Sequence, residues 1–81
     1  DPAKCELVEA IDRALMLDDS RQLKTLMAGL IPLQNRALAL RELRSVEIPE
    51  DLLEMVYHGI EDADVDDLLY WLLEMTAPSL L

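Results

Sequence analysis

The chain has 81 residues, a net charge of −10 and 52% apolar residues, with one cysteine and no phenylalanine. That composition excludes disorder, collagen, a disulfide-stapled scaffold and a cysteine-based zinc module. No apolar run reaches the roughly 20 residues of a membrane span, and no signal peptide is visible. Leucine supplies 18 residues, while glycine and proline are scarce, so helix is favoured over a turn-rich sheet protein.

The first apolar set is Leu7, Val8, Ile11, Ala14 and Leu15. Spacings of three and four residues predict a helix from about Ala3 to Met16. Asp18, Asp19 and Ser20 interrupt it and are good N-cap residues for a second helix carrying Leu23, Leu26, Met27 and Leu30. Gly29 falls near its end. Ile31-Pro32 marks a boundary, because the residue before proline is pushed out of the helical region.

From Leu33 to Val46 the sequence is helical but apolar almost all round. It reads either as one central helix buried on two sides or as a short turn followed by a helix from Ala37 to Val46. Pro49, Glu50 and Asp51 then form a helix start, with two acids matching the positive end of the dipole. Leu52, Leu53, Val56 and Ile60 give its stripe. After a loop at Glu61–Asp64, the last helix turns Val65, Leu68, Leu69, Leu72 and Met75 inward and stops at Pro78. Connections of about two to five residues predict antiparallel neighbours. The fold class is therefore all-α, a compact antiparallel bundle of five to six short helices in one domain over residues 1–81. Without an initiator methionine, the chain reads as a domain of a longer protein or as a mature or trimmed form. Leu26, Leu40, Leu53, Leu68 and Leu72 are expected among its most buried residues.

Charge is divided unevenly. Residues 1–44 hold all seven bases and seven acids, whereas residues 45–81 hold ten acids and no base. Phosphate repulsion disfavours nucleic acid and anionic membranes as partners, and a protein offering basic charge is favoured. The expected basic patch comprises Arg21, Lys24, Arg36, Arg41 and Arg44. The expected acidic patch comprises Glu50, Asp51, Glu54, Glu61, Asp62 and Asp64.

Catalytic chemistry has little to stand on. The single cysteine, Cys5, reads as a small thiol on the inner or flanking side of the first helix, and the single histidine, His58, as a solvated side chain. Asp62, Asp64 and Asp66 share the spacing of calcium-loop ligands, but Asp67 stands where that loop needs glycine and Leu73 where it needs glutamate. N-capping explains these acids. Neither enzyme activity, a metal nor a cofactor is expected. Trp71 is expected to flank the core. Tyr70, with the tail Pro78, Leu80 and Leu81, forms either an exposed patch or part of a frayed end.

The order of parts resembles that of death effector domains. Leu23-Lys24-Thr25-Leu26 followed by Ile31-Pro32 resembles their second helix and turn. Ala37-Leu38-Ala39-Leu40-Arg41-Glu42-Leu43 is similar to their fourth helix, and Leu52-Leu53 through Ile60 to their fifth. Val65-Asp66-Asp67-Leu68-Leu69 resembles the arginine-x-aspartate-leucine signature that opens the sixth. Val65 stands in place of the signature arginine, so only Asp67 and Leu68 match. The wider death-fold superfamily, with caspase-recruitment-like domains and bacterial relatives, fits this departure. The resemblance implies a six-helix adaptor in the cytoplasm, in immune or cell-death signalling. Such an adaptor assembles with like domains by docking a basic patch onto an acidic one, which brings effector domains together. The charge layout alone also admits a free-standing acidic inhibitor or chaperone that masks a basic site on a partner protein.

Overall fold

The computed structural model describes residues 2–81. Among them are five α-helices, two single-turn 3₁₀ helices and no strand. The helices are α1 (Pro2–Leu17), α2 (Arg21–Gly29), α3 (Leu33–Arg44), α4 (Glu50–His58) and α5 (Val65–Thr76). The 3₁₀ turns span Ile60–Asp62 and Pro78–Leu80. The radius of gyration is 11.4 Å, close to the roughly 12 Å of a folded chain this long.

Boundaries follow local chemistry. Pro2 opens α1, where its missing N–H costs no helical bond. Asp18 ends that helix in the left-handed region at φ 51°, a conformation that aspartate tolerates better than most residues. Asp19, rather than Ser20, accepts the orphan Arg21 N–H, at 3.1 Å. Asp64 caps α5 by accepting the Asp67 N–H at 2.9 Å. Pro32 and Pro49 each stand one residue before a helix, in extended conformation.

The core is wholly apolar: no polar or charged side chain is buried among the described residues. Leu7, Ala10, Ile11 and Ala14 form one face of α1, against which α2, α4 and α5 pack. Leu23, Met27, Leu53, Val56, Leu68 and Leu72 surround that face. Trp71 flanks it, half-buried, and approaches Gly59 so closely that an added Cβ there would lie 3.0 Å from Cζ3.

Residues 33–44 form a single helix, but not a central one. α3 packs chiefly on α2 and buries only Ala39 and Leu43. The molecule's shortest extent is 18 Å, which admits two layers of helices spaced about 8–10 Å apart but not three. A helix covered on both sides does not fit. Leu33 is accordingly 75% exposed and Leu40 45%. Leu40 thus departs from the expected core, and Leu26 is only partly buried, while Leu53, Leu68 and Leu72 are buried as expected. Met75 and Cys5 are exposed as well, the first in the last turn of α5, the second on the solvent side of α1. The tail is folded: Leu80 packs against the core.

Two stability experiments follow. Leu68→Ala should cost about 2–5 kcal/mol in urea unfolding, whereas Leu40→Ala should cost less than about 1 kcal/mol. Gly29 lacks positive φ and has open space around it, so Gly29→Ala should stabilise by about 0.4–1 kcal/mol. Gly59→Ala should destabilise by about 1 kcal/mol, because the Trp71 ring must shift, and the shift should appear in its fluorescence.

Candidate interaction surface

The five expected basic residues do different work. Arg21 grips Asp19 with Nε at 3.1 Å from Oδ1 and Nη2 at 3.1 Å from Oδ2, a two-point fork. This is the only ion pair among the described residues. Arg36 is half-buried. Its Nη2 donates to the carbonyls of Gly29 at 3.0 Å and Ile31 at 3.3 Å, capping α2. Its Nε is buried without a partner among the described residues, so the two Nη2 bonds alone hold the guanidinium against the backbone. Lys24 lines a cleft of about 500 Å³ together with Asp18, Glu47 and Glu50.

Arg41 and Arg44 remain. They stand exposed in the last turn of α3, where positive charge complements the helix dipole. Neither joins an ion pair among the described residues, with Glu42, Glu47 or any other acid.

The acids form a longer tract. Glu50, Asp51 and Glu54 are exposed on α4, and Glu61 and Asp62 on the 3₁₀ turn that follows. Asp64 is engaged as the cap of α5. Lys24 and Glu50 meet in one cleft, so the two expected patches are not fully separated.

Two apolar features accompany the charges; the first was not expected from the sequence, and the second takes in Tyr70, Leu80 and Leu81 of the patch considered there. Leu33, Ala37 and Leu40 form an exposed stripe on α3 at spacings of four and three, and Arg44 continues it. The all-round apolar character of residues 33–46 was its signal: a chain of 81 residues has too little core to cover two sides of such a helix. The second feature is a shallow groove. The turn Leu30-Ile31-Pro32 forms one wall, and Leu69, Tyr70 and Leu73 of α5 form the other. Leu80 and Leu81 line it as well, and Asp66 is its only charged residue.

Among the described residues, no group of His, Cys, Asp and Glu is arranged to hold a metal ion. No helix is long and apolar enough to cross a membrane.

The hydrogen bonds from Arg21 hold the Asp19 carboxyl below its ordinary value of 3.8, and Arg21 is raised in return. The ionised form of Asp19 is thus favoured in the fold. Its contribution is present above the ordinary carboxylate range and is lost as pH falls through the lowered value. An NMR titration should place the Asp19 midpoint below 3.8, and Arg21→Ala should move it back up.

Comparison of the chain with protein-family models, curated proteins and solved structures finds no match.

Proposed function

We propose that this domain is a protein-interaction module of death-fold type, an adaptor without enzymatic activity that recruits a like domain. Docking runs from the basic end of α3 on one copy to the acidic second half of the next. The observation that carries the reading is the pair Arg41 and Arg44, exposed and free of ion pairs among the described residues. Residues 45–81 supply the complement, with ten acids and no base. Arginine suits the role because its planar fork engages carboxylates at two points. In a longer cytoplasmic chain, such docking draws attached effector domains together.

The exposed acids of α4 support a second reading, in which the domain alone masks a basic site on a different protein. Charge reversal separates the two. Under the adaptor reading, Arg41→Glu with Arg44→Glu weakens self-association while the helical circular dichroism spectrum stays unchanged. Association also weakens between about 0.15 M and 1 M salt, where only charges in contact still interact. A double reversal that leaves association intact, or a wild type that never self-associates, would remove the adaptor reading and leave the masking one.

A further inference from the structure

The two apolar features match each other in spacing, length and charge. On α5, Asp66, Leu69, Tyr70 and Leu73 stand at i, i+3, i+4 and i+7 and line one wall of the groove. On α3, Leu33, Ala37, Leu40 and Arg44 stand at i, i+4, i+7 and i+11. The segments Leu33–Leu40 and Asp66–Leu73 are each about 10 Å long at 1.5 Å per residue. Each has a charged end, and the two ends have opposite sign. The α3 stripe ends in Arg41 and Arg44, while helical spacing puts Glu42 on the far side of that helix. The α5 wall begins at Asp66, four residues after the exposed pair of acids Glu61 and Asp62.

We propose that the groove between the α2–α3 turn and α5 is the acceptor site for α3 of a second copy of this chain, laid antiparallel to α5. This rests on the adaptor reading and names its acceptor surface. Leu33 of the incoming helix lies toward Leu73 and Leu80. Ala37, small and exposed, leaves room for the Tyr70 ring, which is 51% exposed. Leu40 covers Leu69, and the two arginines reach Asp66 and the acids before it. The reverse orientation sets the arginines over Leu73, about two turns of α5 away from Asp66, the groove's only charged residue. Charge therefore fixes polarity, and apolar contact supplies the hold. The contact is heterologous, with the stripe of one copy in the groove of the next.

Complementation tests the proposal. Leu40→Glu destroys only the stripe, and Tyr70→Glu only the groove. Both positions are exposed, so both variants should keep the wild-type helical spectrum. In sedimentation equilibrium each variant alone should associate at least about tenfold more weakly than wild type. A mixture of the two should form a 1:1 complex, because one keeps an intact groove and the other an intact stripe. A mixture that yields no complex would overturn the proposal. If Tyr70→Glu assembles like wild type while the double arginine reversal does not, the groove is not the acceptor and the adaptor reading stands. A wild type that stays monomeric up to about 1 mM would overturn both the groove assignment and the adaptor reading.

Discussion

Everything in this fold leans on one face of α1. Leu7, Ala10, Ile11 and Ala14 receive α2, α4 and α5. Two of the four are alanines, which let neighbouring backbones approach closely, and the large side chains of the other helices fill the space around them. With no polar or charged residue in the buried class among the described residues, the core is held by apolar burial and packing. Such a core is permissive about sequence but limited in capacity. Three helices exhaust the surface of α1, and a fourth must attach elsewhere.

The position of α3 is the consequence. It reaches the core through α2, by Ala39 and Leu43, and a second attachment comes from Arg36 on the carbonyls that end α2. α3 and α4 follow one another in sequence but are not major packing partners; the Ser45–Pro49 connection carries α4 back onto α1 instead. The helix richest in basic residues is thus the one most detached from the core, and its flank is left apolar. A surface that is both apolar and cationic on an otherwise acidic domain is a physical asymmetry, and the proposed docking is its simplest use.

Much of the architecture is legible in the residues. Period-3.6 stripes locate all five helices, Pro32 and Pro49 mark where α3 and α4 begin, and the acids at 64–67 announce the cap of α5. What the stripes do not reveal is how many helices can share one core. Leu40 and Met75 look as apolar as Leu43 and Leu72, and only the arrangement of neighbours separates them. The basic patch is legible as a list and not as a set of roles. Arg36 and Arg41 are five residues apart and chemically identical, yet one caps a helix and the other is free of ion pairs among the described residues. That difference depends on which carbonyls lie within reach, and hence on the α2–α3 turn.

The proposed self-recognition, by a chain of net charge −10, also has to overcome the chain's own repulsion. At physiological ionic strength the Debye length is about 8 Å, so charges on the far sides of two copies are mutually screened, and the charges at the contact decide. Approach of two acidic halves is then unfavourable, because residues 45–81 offer no cation to either side. Approach of the first half of one copy to the second half of another brings a neutral surface ending in Arg41 and Arg44 against carboxylates. Two exposed arginines contribute modestly, since ion pairs in water are typically worth about 0–1 kcal/mol each. They select the orientation more than they hold it. The holding force must come from apolar area, and only a pairing that buries the Leu33–Leu40 stripe while its arginines meet acids supplies both. Under the proposed docking, the chain's acidity works as a filter, rejecting other encounters between copies and leaving the apolar stripe available for the one in which charge and shape agree.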